Sequence, residues 1–105
     1  MVYYIYVIQL DKAVLNYTEF KRNNPNMDTR LPCYYVGQSF HTPETRFWQH
    51  KKGYKSNRFA KEYGLGLCPK FYDCYNPIKT RKDAEILEKE LTEKLRMKGH
   101  GVWSN

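Results

Sequence analysis

No stretch of this chain is apolar for long enough to cross a bilayer as a helix. Its longest hydrophobic run, residues 2–8, falls far short of the roughly 20 residues such a helix needs. Neither a basic leader nor a small-residue cleavage site accompanies that run, so the sequence predicts a protein that is not membrane-bound and not secreted. Cysteine is scarce: Cys33, Cys68 and Cys74 form an odd set without a CxxC pair. Neither a disulfide framework nor a zinc spacing follows from them, even with His41, His50 and His100 counted, and a reducing cytoplasmic or nuclear compartment fits. Repeats, low-complexity tracts and a dividing linker are missing, so residues 1–105 are expected to form one domain. Acids are outnumbered, 11 against 18 lysines and arginines, for a net charge of +7. That imbalance points to an acidic ligand, and nucleic acid is the commonest polyanion. Docking on an acidic protein and simple solubility are the competing readings.

What the chain has in quantity is tyrosine, ten of its 105 residues. Tyrosine packs through its ring and keeps a hydroxyl for hydrogen bonding or acid–base work. Residues 2–10 (VYYIYVIQL) are β-branched and aromatic without a breaker, and predict a first strand. Residues 11–32 turn basic around the breaker cluster Asn23-Asn24-Pro25-Asn26. They predict an insertion loop with a short helix or turn over 13–20. Residues 33–38 predict a second strand, antiparallel to the first and ended by Gly37. Thr42, Pro43 and Glu44 then supply an N-cap, a first helical position and a first-turn acid, and Gly53 stops the helix they start. Ser56 or Asn57 caps a further helix to about Tyr63, with Gly64 as its stop. Residues 70–75 (KFYDCY) predict a short third strand ended by Asn76-Pro77. Residues 80–98 predict the longest helix, capped by Thr80 and stopped by Gly99 and Gly101.

Chemistry-bearing residues gather around the second strand and the helix after it. Arg46 and His50, four residues apart, share one helix face. A strand that delivers tyrosine hydroxyls beside a guanidinium and an imidazole makes an anion site. Lys51, Lys52, Lys55, Arg58 and Lys61, with Trp48 and Tyr54 between them, predict a basic surface suited to a sugar-phosphate backbone. On the last helix, at about 100° per residue, Ala84, Leu87, Leu91 and Leu95 span a stripe of roughly 80°. Asp83, Glu85, Glu90 and Glu93 avoid that stripe, whereas Glu88 falls within it or at its edge. A buried carboxylate needs a cation, a hydrogen-bond network or a metal ion, or it takes up a proton. A buried pair with Arg46 would satisfy it. Leucine would build the helix more easily, which favours a functional acid.

Taken in order, these residues resemble the GIY-YIG nucleases. Tyr4-Ile5-Tyr6 and Tyr35-Val36-Gly37 look like that family's two name-giving elements. Arg46 and His50 match its following helix, Glu88 its glutamate within Asp83-Ala84-Glu85-Ile86-Leu87-Glu88, and Asn105 its closing asparagine. The resemblance covers essentially the whole chain. It departs in having Tyr4 where the family has glycine and in a longer spacer between the two motifs. It implies a small α/β fold of the α+β kind: a three-stranded antiparallel sheet flanked by three or more helices. It also implies metal-dependent cleavage of DNA, duplex or branched.

On this reading Glu88 holds Mg²⁺ or Mn²⁺, a hard oxygen ligand for a hard cation. Arg46 braces the transferring phosphate. Tyr6, Tyr35 or His50 serves as the base, and the residues do not rank them. Gly37 and Asn105 are supporting residues. A separate DNA-recognition protein or a second copy of the chain is an expected partner. The rival expectation is a non-catalytic nucleic-acid-binding module on the same scaffold.

Overall fold

The computed structural model describes residues 1–104. The breaker-free N-terminal run forms β1 (Tyr4–Leu10), whose Ile5 through Ile8 are all buried. It pairs antiparallel with β2 (Cys33–Ser39), Tyr6 lying opposite Gly37 and Ile8 opposite Tyr35. Two shorter strands complete a four-stranded mixed sheet of order β3-β1-β2-β4: β3 (Gly64–Leu67), antiparallel to β1, and β4 (Gly101–Ser104), parallel to β2. The helices are α1 (Thr18–Arg22), α2 (Pro43–Lys52), α3 (Arg58–Tyr63) and α4 (Arg81–Met97), so the fold is α+β. Among the described residues no helix is long and apolar enough to cross a membrane.

The sheet departs from the expected one in two places. Residues 70–75 are not a strand. Pro69–Phe71 forms a 3₁₀ turn, and of the run only Tyr72 is fully buried, with Phe71 packing its ring on Tyr34 at 5.2 Å. The third strand is instead the glycine-rich Gly64–Leu67, a poor strand by propensity. Packing decides there: a Cβ on Gly64 would stand 2.4 Å from the Ala60 carbonyl oxygen and 3.2 Å from Ile8 Cγ2. No side chain fits between α3 and β1. Gly64 is therefore the first residue of a strand in extended backbone, not a left-handed helix stop. The rest of that edge of β1 is closed by Asn76, whose side-chain amide accepts from Ile5 N–H (3.0 Å) and donates to Ile5 O (2.8 Å).

The second departure is β4, which adds a parallel strand to the expected antiparallel three. Gly99 (φ 98) turns the chain after α4, and Gly101 starts the strand where a Cβ would meet Phe20, Met27 and Cys33 within 3.3 Å. Residues 11–32 pack as part of the core. A 3₁₀ turn (Lys12–Asn16) and α1 bury Val14 and Phe20. Asn24 is buried too; its amide donates to Phe20 O and Val102 O and accepts from Val102 N–H and Arg96 Nε.

Side-chain alternation sorts the two faces of the sheet. Tyr6, Gly37 and Tyr35 share one face. Trp103, paired with Tyr35, joins them and packs on Phe20 of α1 and Phe59 of α3. Ser104, paired with Val36, points the other way and lines a cavity with Glu88. The α4 helix therefore covers the opposite face from α1, α2 and α3.

Candidate functional site

The helix-start signal read from sequence places two side chains of the site. Thr42 Oγ1 accepts from Thr45 N–H, Pro43 follows, and Gly53 ends α2 at φ 86. One turn apart on α2, Arg46 and His50 face the sheet. His50 is fully buried, with Tyr6 Oη 2.9 Å from its Nε2. The Asn57 backbone N–H donates to His50 Nδ1 at 3.1 Å, while the Asn57 side chain caps α3 by accepting from Phe59 N–H and Ala60 N–H. An imidazole nitrogen that accepts carries no proton, so in the neutral ring the proton sits on Nε2 and is donated to Tyr6. Burial, and secondly the Arg46 charge, lowers the His50 pKa to about 4. His50 is neutral at pH 7 with both nitrogens engaged.

Tyr6 and Tyr35 are buried beside it, with their rings 6.2 Å apart and Tyr35 5.3 Å from the His50 ring. Burial and the neighbouring Tyr35 push the Tyr6 phenol well above its ordinary pKa, and Arg46 draws it partly back. Gly37 lies in the middle of β2, not at its end, for a steric reason. A Cβ there would stand 2.5 Å from Tyr6 Oη. The absent side chain is the space the Tyr6 ring occupies.

The Arg46 guanidinium is held by Gln49 Oε1 (3.2 Å), Tyr54 O (3.1 Å) and Lys55 O (2.7 Å). It lines a cavity of about 360 Å³ that also takes cations from Lys55 and Arg81 and rings from Tyr3, Phe40, His41 and Tyr54. Gln38, Ser39 and Gln49 complete the wall, and among the described residues no carboxylate lies on it. Half of this wall comes from the loop after β2, the turn after α2 and the start of α4, which no helical or strand period brings together. Tyr54 belongs to the basic aromatic surface expected from sequence, whereas Phe40 carried no such signal; both rings are exposed.

Glu88 lies elsewhere. It is 9% exposed, and burial followed by the Glu85 charge raises its pKa to about 7. Among the described residues no ion pair joins it to Arg46 or to any other cation. It lines a separate cavity of about 380 Å³ with the acids Glu85 and Glu93, the cations Lys89 and Arg96, and the hydroxyls of Thr92 and Ser104. Thr92 is buried on α4 beside Ala84, Glu88, Leu91 and Leu95, whereas Leu87 is only partly so. The buried stripe is thus rotated toward Glu88, which stands inside it. The first cavity meets α4 at Arg81 and the second at Glu85 and Glu88; Glu88 is about 10 Å from Arg81 along the helix, whereas Glu85 pairs with Arg81 at 3.4 Å. Both cavities lie at the end of β2 where pairing with β4 reaches Val36 and Ser104. Among the described residues no three His, Cys, Asp or Glu side chains gather as a metal cage.

The expected basic surface divides. Lys55 is exposed at the first cavity and Lys52 is exposed on α2. Lys51 Nζ instead donates to Lys61 O and Gly64 O, closing the end of α3. Arg58 pairs with Glu19 and lies over the Tyr17 and Phe59 rings, a structural position. Lys61 remains exposed, with its ammonium end beside Gly53. Asn105 falls outside the described residues. No protein-family model matches the chain, and no curated protein or solved structure matches it either.

Proposed function

We propose that this chain is a divalent-metal-dependent DNA endonuclease of the GIY-YIG kind, hydrolysing phosphodiester bonds. The observation that carries the reading is Glu88, a carboxylate inside the packing stripe of α4 with no bonded cation among the described residues. Magnesium is commonly held by one or two carboxylates, with water and phosphate oxygens filling the remaining positions. Glu88, with Glu85 one turn away and Ser104 on the same cavity wall, fits that donor set. A bound Mg²⁺ or Mn²⁺ would neutralise phosphate charge and stabilise the leaving oxygen.

The chain's own groups have distinct tasks on this reading. Arg46, fixed by three hydrogen bonds, presents positive charge to the phosphate without having to reorganise. Tyr6 is assigned to the attacking water: its buried phenol accepts a hydrogen bond from His50 Nε2–H, and Arg46 draws its pKa partly back from the rise that burial causes. His50 positions Tyr6 and keeps no lone pair for a proton from water. Tyr35 supplies the adjacent hydroxyl.

The test is nicking of supercoiled plasmid with Mg²⁺ or Mn²⁺. Wild type should cut and Glu88→Ala should not, and the metal should raise the melting temperature of wild type alone. Equal cutting by both proteins would remove Glu88 from the reaction.

A second reading, a non-catalytic nucleic-acid-binding module, is favoured by one observation. Glu88 and Arg46 line different cavities. Salt-sensitive DNA binding without metal-dependent cutting would select it.

A further inference from the structure

The cavity at Arg46 has a chemistry that backbone binding alone does not require. Phosphate contacts need cations, hydroxyls and amide donors. This wall adds aromatic rings, and two of them are markedly exposed: Phe40 at 54% and Tyr54 at 56%. Phe40 is paired with the His41 ring at 4.1 Å, and Lys55 Nζ sits 5.7 Å from the centre of the Tyr54 ring. The Tyr54 turn is clamped from below by Arg46, so that ring stands on a fixed support. Its volume of about 360 Å³ lies within the range of small-ligand sites. A continuous duplex hides the faces of its bases in the stack and offers these rings nothing. An unstacked base offers a π-face, and its phosphate offers a charge for Arg46, Lys55 and Arg81. Among the described residues no acid lines this wall; Glu85 pairs with Arg81, 3.4 Å from its Nε, so Arg46 and Lys55 carry most of the charge offered to the phosphate.

We infer that this cavity takes up a single unstacked nucleotide. The preferred substrate is then DNA with an unpaired segment beside the scissile phosphate, not a continuous duplex. The inference rests on the nucleic-acid reading of the site but not on catalysis. Phe40 and Tyr54 form the stacking platform, and Gln38 and Gln49 are placed to meet the edge of the base.

The experiment uses the full chain carrying Glu88→Gln, in EDTA, with oligonucleotides containing 2-aminopurine. The same sequence is presented as a single strand, as an unpaired flap on a duplex, and as a continuous duplex. Stacking is expected to change the fluorescence of the single strand and the flap. Both should bind roughly tenfold or more tighter than the duplex. Phe40→Ala and Tyr54→Ala should abolish the fluorescence change and weaken flap binding by roughly tenfold each. Both side chains are exposed, so the variants should melt with the parent. Equal affinity for flap and duplex, or equal loss of both on removing either ring, overturns the inference. The wild-type chain then separates the two ideas. Cutting of flap and duplex alike, with no ring dependence, overturns the pocket and leaves the nuclease. Ring-dependent flap binding without any metal-dependent cutting supports the pocket and overturns the nuclease.

Discussion

His50 and Glu88 are both buried ionisable side chains, one on each side of the same sheet. His50 has a partner for each ring nitrogen, one from a backbone N–H and one from a phenol. Its charged form is suppressed, and the neutral ring completes a network. Glu88 is buried among α4 neighbours, with Glu85 raising its pKa further and no bonded cation among the described residues. A satisfied buried polar group holds structure together. Glu88 has its carboxylate on a cavity wall instead, so what enters that cavity decides whether the charge is stabilised. The contrast suggests that the His50 side was built for rigidity and the Glu88 side for an incoming charge.

The hardest test of the rigid side is His50→Ala. It leaves Asn57 N–H without its acceptor, takes one of the partners of Tyr6 Oη, which keeps Tyr35 and Arg46, and opens a void between α2 and the sheet. A loss of about 4 kcal/mol is expected in denaturant melts at pH 7.5. A loss under about 1 kcal/mol would mean water replaces the ring and the two sides do not differ. Gly37→Ala approaches the same network from β2. Its Cβ would displace Tyr6 by meeting the hydroxyl end of the ring, so about 3 kcal/mol should be lost. Nicking, where it is observed, should fall with it. Full stability with full activity would show that the Tyr6 position is adjustable.

Glu88→Gln should act in the opposite direction. The carboxyl has a folded pKa of about 7 against an ordinary 4.5, so the folded state holds its proton longer. Stability from this group is fully present below pH 4.5 and is lost as pH rises to 7. His50, with a folded pKa of about 4 against 6.5, does the reverse: its contribution is present above 6.5 and lost as pH falls toward 4. The two slopes oppose each other between pH 4.5 and 6.5, and the wild type should be nearly flat there in EDTA. Glu88→Gln removes one slope. The variant should match wild type near pH 4 and exceed it by about 2 kcal/mol at pH 8, after discounting for solvent screening. It should also show the His50 slope openly while losing metal-dependent nicking. Destabilisation at pH 8 would mean that the carboxylate is a structural group after all.

Residue patterns disclosed the parts governed by local rules. Thr42, Pro43 and Gly53 mark the ends of α2, Thr80 starts α4, and the helical period isolates Glu88 from four exposed acids. Competition for a sheet edge stayed hidden. Gly64–Leu67 pairs with β1 because α3 leaves no room for a side chain at Gly64. The more strand-like residues 70–75 lie where Asn76 and Ile78 have already closed that edge. The short tail at Gly101 gave no strand signal of its own, since its pairing is with a parallel β2. At the site, Tyr6, Tyr35, Arg46 and His50 were visible as types in order, but Asn57 was visible only as a helix cap. Its second task, fixing the His50 proton, depends on α3 starting directly behind α2.

The smallest expected effect concerns the rim between the two regions. Lys55 is the described non-glycine residue with a positive φ, at 44°, and Arg46 Nη2 bonds its carbonyl oxygen. A side chain in that conformation carries roughly 1 kcal/mol of steric strain, and such strain tends to persist where a site needs the geometry. Lys55→Gly relieves it but widens the unfolded ensemble, so the net gain should stay under about 1 kcal/mol. DNA affinity should fall at the same time, because a cation leaves the cavity wall. A higher melting temperature with weaker binding would place the strain in the service of the ligand, on the side of Glu88. A lower melting temperature would instead assign the Lys55 turn to the rigid side, with the His50 network.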